Sequence, residues 1–269
     1  MECLINDLSV YYEEYGNGKP VLCIHGYTLD HKSMVGCLEP VFRNLDGYRR
    51  IYLDLPGMGR TPSREWIKNA DVMLDVILKF IGNVIGEENF LISGNSYGGY
   101  LALGLALDSS LKLDGIFLFG TCVIAESSKR KLPIKNNVVV EKELELLAKD
   151  EGDFAGFIDV AAVATLKTWH RYTDEILPGI KLADTSFLEY YRNNYGLTSS
   201  EFSKLNFEKP VCVLAGNQDN SVGFEDTWDM LKHLPRLTFV LLENTGHNLQ
   251  IENPEAFNLH LNDWLVSCK

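Results

Sequence analysis

Short, almost uncharged apolar runs alternate with longer stretches of helical periodicity, and this limits the chain's possible folds more than any other feature. The runs fall at 21–24, 50–55, 90–93, 116–119, 211–215 and 237–242. A strand covered by helices on both faces reads in this way, as a continuous apolar run rather than an in-out alternation. Between the runs, 32–45, 69–85, 97–107, 224–233 and 255–266 repeat their apolar residues at helical spacing. Strand and helix in regular succession predict an α/β fold, with a mostly parallel central sheet of about eight strands and helices on both faces. The segment 8–15 alternates instead, and Tyr15-Gly16-Asn17-Gly18 supplies a hairpin turn after it.

One interval breaks the rhythm. From Cys122 to Leu205 no buried strand is evident, whereas 141–150 and 154–170 have helical character. A structureless loop of that length is implausible inside a compact domain. The sequence therefore divides into a core built from 1–121 and 206–269 and a helical cap inserted at 122–205. The insertion is rich in aromatics (Phe154, Phe157, Trp169, Tyr172, Phe187, Tyr190, Tyr191, Tyr195 and Phe202). Most should pack onto the core, and some should line a cavity beneath the insertion.

Composition narrows the function. The 269 residues are 46% hydrophobic, enough for a sizeable core, and carry a formal net charge of −12. Such a balance disfavours nucleic acid and anionic membrane surfaces, both of which need clustered Lys and Arg. No run approaches the roughly 18 apolar residues of a membrane span, and the start MECLINDLSVYYEEYG lacks a signal-peptide pattern. The expectation is a cytoplasmic protein with a small-molecule substrate, neither nucleic acid nor membrane as partner, and a homodimer left open. The six cysteines (Cys3, Cys23, Cys37, Cys122, Cys212 and Cys268) form no paired metal motif, and they read as reduced thiols.

Chemistry concentrates at Gly94-Asn95-Ser96-Tyr97-Gly98-Gly99, between a strand and a helix. A G-x-S-x-G in that position makes a sharp turn that exposes the serine hydroxyl at a helix N-terminus. Serine needs a base to take its proton. Among six histidines, His247 lies just past the last strand, at the sheet edge where ligands gather in open α/β folds. His233 and His260 fall on amphipathic helices, His170 lies in the insertion, and His25 reads as a loop-holding residue. Asp219, in Gly216-Asn217-Gln218-Asp219 after another strand, suits the acid that orients the imidazole, with Asp226 in reserve. His25-Gly26-Tyr27 follows the strand at 21–24, so the backbone amides of Tyr27 and Tyr97 are the expected oxyanion donors.

The chain resembles the α/β-hydrolase fold superfamily, in its lidded branch. The resemblance rests on His25-Gly26-Tyr27, Asp54-Leu55-Pro56-Gly57-Met58-Gly59, the Ser96 elbow, Gly216-Asn217-Gln218-Asp219, Gly246-His247 and the tail from Ile251 to Phe257. It implies a serine hydrolase of carboxylesterase type that cleaves a small or medium, apolar ester through an acyl-enzyme, with no metal or organic cofactor. Thioesters, carbon–carbon bonds of diketones and small amides are alternatives on the same triad, as is a slow-turnover binding or signalling protein. Relatives resembling haloalkane dehalogenases and epoxide hydrolases carry Asp at the elbow, so Ser96 disfavours those reactions. Asn95 stands where many members have another residue, which bears on substrate class.

Overall fold

The computed structural model describes residues 1–134, 139–147 and 152–269. Eight strands form one sheet: β1 (Glu2–Ile5), β2 (Leu8–Tyr15), β3 (Lys19–Ile24), β4 (Tyr48–Leu53), β5 (Phe90–Asn95), β6 (Leu113–Phe119) and, after two short strands described below, β9 (Val211–Gly216) and β10 (Leu237–Leu242). Their spatial order is β1-β2-β4-β3-β5-β6-β9-β10. The two pairings of β2 are antiparallel, and the remaining pairings in the sheet are parallel.

The apolar runs fill both faces through the strand's two-residue period. On β3, Leu22 and Ile24 join one core, and Val21 and Cys23 join the other. The first core receives helix α2 (Ala70–Val84), whose Met73, Val76, Ile77 and Phe80 recur at helical spacing, and α3 (Tyr97–Ala106). The second receives α1 (His31–Phe42) through Met34, Leu38 and Val41, and the C-terminal α11 (Pro254–Ser267) through Phe257, Leu261 and Trp264. Side chains cap the starts of α1 and α2: Asp30 accepts from the Lys32 amide and Asn69 from that of Val72. All six cysteines are unpaired, and five are buried.

The segment between β6 and β9 holds short elements. They are the strands β7 (Val139–Val140) and β8 (Val163–Ala164), which pair in parallel, and α4 (Lys142–Leu147), α5 (Asp153–Val160), α6 (Leu166–Arg171), a π-helical turn Tyr172–Ile176, α7 (Leu177–Leu182) and α8 (Thr185–Arg192). The helix expected over 154–170 is thus broken at Ala161 by extended backbone leading into β8. That expected over 141–150 is seen as α4, and its last residues lie outside the described ones. The segment has its own core of Leu144, Phe157, Trp169, Tyr172 and Ile176, joined by Ile251 from α10 (Leu249–Glu252). Its later aromatics, Phe187, Tyr191, Tyr195 and Phe202, pack onto the first core instead. Beyond β9, α9 is shorter than its periodicity suggested (Glu225–Leu231), leaving His233 exposed with its ring bonded to the Leu205 carbonyl.

Candidate active site

The elbow is a steric construction. Ser96 sits between β5 and α3 at φ 50° and ψ −115°, a region costly for any residue with a Cβ. The turn hangs from the end of β6, where the Phe119 carbonyl accepts both the Ser96 amide and the Asn95 side-chain amide at 3.1 Å. The first turn of α3 rests directly on the end of β3, and a Cβ on Gly98 would strike the carbonyl oxygens of Ile24 and His25. Gly26 is confined too, though less tightly, since a Cβ there would lie 2.9 Å from Asn95 Oδ1 and 3.3 Å from the Ser96 Cβ. The His25–Tyr27 loop therefore lies against the serine.

Two further loops converge on it. Asp219, in the turn after β9, is fully buried, and its Oδ1 accepts the amides of Ser221 and Val222 at 2.9 and 3.0 Å. Its Oδ2 stands 2.8 Å from His247 Nδ1, and His247 Nε2 stands 3.1 Å from Ser96 Oγ. An ionised carboxylate only accepts, so Nδ1 carries the proton and Nε2 is left to accept from the serine. Burial works against a charged imidazole, but the charge and hydrogen bond of Asp219 outweigh it and hold the His247 pKa above its usual 6.5. Neither the Tyr27 nor the Tyr97 amide donates to a protein acceptor among the described residues.

These groups open onto a cavity of about 250 Å³ lined by Tyr27, Leu29, Val160, Tyr172, Ile176 and Ile180 as well as Ser96 and His247. Its walls are apolar, and much of them comes from the segment between β6 and β9. A second groove, of about 760 Å³, shares Tyr27, Thr28 and Val160 with the first and adds Arg130, Arg192, Asn193 and Tyr195. Tyr27 stands between the two, its hydroxyl donating to the Leu188 carbonyl at 2.5 Å and its ring edge-on to Tyr97 and Tyr195. Burial pushes its phenol up to about 12. The sequence anticipated that aromatics of the insertion would reach a cavity, and Tyr172 and Tyr195 do. It did not single out the aliphatic wall of Val160, Ile176 and Ile180, because nothing distinguishes these from core residues until the fold is known.

The other candidates lie elsewhere. His25 is buried, with Nδ1 2.7 Å from the Gly26 carbonyl and Nε2 accepting the Leu55 amide at 2.9 Å. Both nitrogens are engaged with backbone, and burial holds the ring neutral. Asp226 turns away to accept the Lys131 amide at 2.7 Å. Lys129 pairs with Glu126, Lys131 with Asp229, and Arg130 donates to the carbonyls of Ile124, Ala125 and Ser221. His170 is exposed.

A strained serine between strand and helix, with loops from two later strands converging on it, is the arrangement of one fold family, and comparison agrees. The alpha/beta hydrolase fold family model matches residues 19–254, and the chain belongs to that family. The crystal structure of an alpha/beta superfamily hydrolase from Oenococcus oeni PSU-1 superposes with a TM-score of 0.91 at 32% identity, covering 100% of this chain and 99% of the other. A 2-hydroxy-6-oxo-6-(2'-aminophenyl)hexa-2,4-dienoic acid hydrolase from Metapseudomonas resinovorans is 25% identical over 252 residues, 91% of this chain and 83% of that protein. An esterase from Exiguobacterium antarcticum shares the fold with a TM-score of 0.73 at 17% identity, covering 96% of each chain. No helix among the described residues is long and apolar enough to cross a membrane.

Proposed function

We propose that this hydrolase cleaves small, apolar carboxylic esters through a covalent acyl-serine, with the segment 122–205 acting as a cap over the site. The supporting observation is the unbroken hydrogen-bonded line from Ser96 through His247 to buried Asp219 at the wall of an apolar cavity. In this reading, Ser96 Oγ bonds to the substrate carbonyl carbon as its proton passes to His247 Nε2. The Tyr27 and Tyr97 amides hold the oxyanion, and Asp219 stabilises the imidazolium. The carbon–oxygen bond to the alcohol then breaks, and the alcohol leaves with the proton from His247. Water repeats the sequence, giving up a proton to His247 while its oxygen joins the acyl carbon, and Ser96 leaves reprotonated. The cavity of about 250 Å³ falls just below the range of roughly 300–1,000 Å³ typical of ligand pockets, which suits a short acyl chain.

A graded p-nitrophenyl ester series, run with wild type and Ser96→Ala, tests the proposal. Turnover of short esters and its loss by roughly 10³-fold or more in the variant are expected. Stoichiometric fluorophosphonate labelling of a wild type that does not turn over esters would indicate a slow-turnover binding protein, and no labelling would overturn the serine assignment. The Metapseudomonas relative favours a second reading, carbon–carbon cleavage of a hydroxy-oxo-dienoic acid on the same residues. Supplying such an acid alongside the esters separates the two by relative kcat/KM.

A further inference from the structure

Glu252, in the four-residue helix α10, does nothing in the mechanism above, yet it joins two chain segments beside the site. One carboxylate oxygen, Oε2, accepts three backbone amides: Ala162 and Val163 at 2.9 Å and Gly246 at 3.1 Å. The first two belong to the cap, and the third is the residue before His247. The same junction is closed by the His247 amide, which donates to the Val160 carbonyl at 3.2 Å. Asn220, next to Asp219, donates its side-chain amide to the Asp159 carbonyl at 2.9 Å. Residues 159–163 of the cap are thus tied to both the acid loop and the base loop, and Val160 among them is a wall of the catalytic cavity. There is no slack at this point, because a Cβ on Gly246 would strike the Val160 carbonyl and lie 3.0 Å from the Ala162 amide.

We propose that Glu252 is a positioning residue that latches the cap to the His247 loop, setting the base and the Val160 wall of the acyl pocket as one unit. The proposal rests on the serine-hydrolase reading only for its kinetic consequence, since the latch itself is a matter of hydrogen bonds. Buried backbone amides must find acceptors. A single side-chain oxygen serving three of them from two chain segments couples those segments, so that neither can leave without its own amides losing their acceptor. The groove that shares Tyr27 and Thr28 with the cavity is also lined by Asp159 and Val160, so the same junction holds one of its walls.

The test uses Glu252→Ala, Glu252→Gln and Gly246→Ala. Each is assayed for ester kcat and KM per fluorophosphonate-titrated site, for Tm, and for amide hydrogen exchange over 159–163 and 244–248. In Glu252→Ala, exchange should accelerate in both segments together, and kcat per titrated site should fall about 10²-fold, as misplacing a catalytic group by about 1 Å does. Glu252→Gln keeps one carbonyl oxygen to accept the amides and should restore most of the protection and most of kcat. Gly246→Ala, which wedges the junction with Glu252 intact, should resemble Glu252→Ala. A lowered Tm with kcat per titrated site unchanged in both Glu252 variants would overturn the positioning role. Faster exchange in one segment alone would overturn the latch. If wild type neither labels nor turns over, the serine-hydrolase reading fails, and the exchange data decide the latch independently.

Discussion

Two acids seven positions apart, Asp219 and Asp226, show what a side chain's surroundings decide. Both lie after β9 and look alike as letters, yet only Asp219 meets an imidazole, while Asp226 serves the backbone of Lys131. The choice was legible because Asp219 follows the strand end directly, whereas Asp226 lies within the next helix. Replacing it tests what it does. Under the proposed mechanism His247 must be neutral to act as a base, and Asp219 raises its pKa above the usual 6.5, so wild-type kcat/KM should rise with pH through a midpoint above 6.5. Asp219→Asn removes the charge that raises that pKa and leaves the burial that lowers it, so the midpoint should move down. The plateau should fall by about 10⁴-fold, the loss usual when an imidazole loses its orienting carboxylate. A pH profile from 5 to 9 reads both, and an unmoved midpoint would show that Asp219 does not set the titration of His247. Glu252 was far less legible, since its partners are backbone amides, two of them about 90 residues away, which leave no mark on side-chain pattern.

At the level of elements, the strand–serine–helix unit announced itself because its glycines answer a local need for backbone to pass close to backbone. Gly98→Ala would force the first turn of α3 off the end of β3, an overpacking that costs about 1–3 kcal/mol. Calorimetry should show a lowered Tm, and ester hydrolysis should fall further than stability alone explains, because Ser96 and the Tyr97 amide move with the helix. Unchanged activity in a folded variant would show that the close approach is not needed for the chemistry. The strands of the sheet were legible from their apolar runs and alternation, except β1, whose four residues are too few to carry a pattern, and the turn at 15–18 closes no hairpin, because β2 pairs with β1 and β4 and not with β3. The elements of the inserted segment were so only in part: helix was expected over 141–150 and 154–170, where α4, α5 and α6 lie, and none was expected beyond them. Its helices run six to eight residues, one is interrupted by extended backbone, and a π-helical turn shifts the phase between two others. Periodicity needs a longer window than these provide.

At the scale of the whole molecule, a net charge of −12 surrounds a site whose groove contains Arg192, a cation with no ion pair or hydrogen bond among the described residues. The long-range field should slow the approach of an anionic ester. Raising ionic strength from 0.01 to 0.15 M shortens the screening length from about 30 to about 8 Å. The kcat/KM for a carboxylate-bearing ester should therefore rise while that for a neutral ester stays level, and a fall would show that Arg192 governs the entrance. The topology has a consequence in time as well as in space. Ser96 and the Tyr27 loop are encoded before the inserted segment, and Asp219 and His247 after it, with 151 positions between serine and histidine. At about 5–20 residues per second, a ribosome needs on the order of 8–30 s to pass from one to the other. For that interval the nascent chain holds a nucleophile without a base. Under the mechanism proposed here it is chemically silent until the chain has been made past His247.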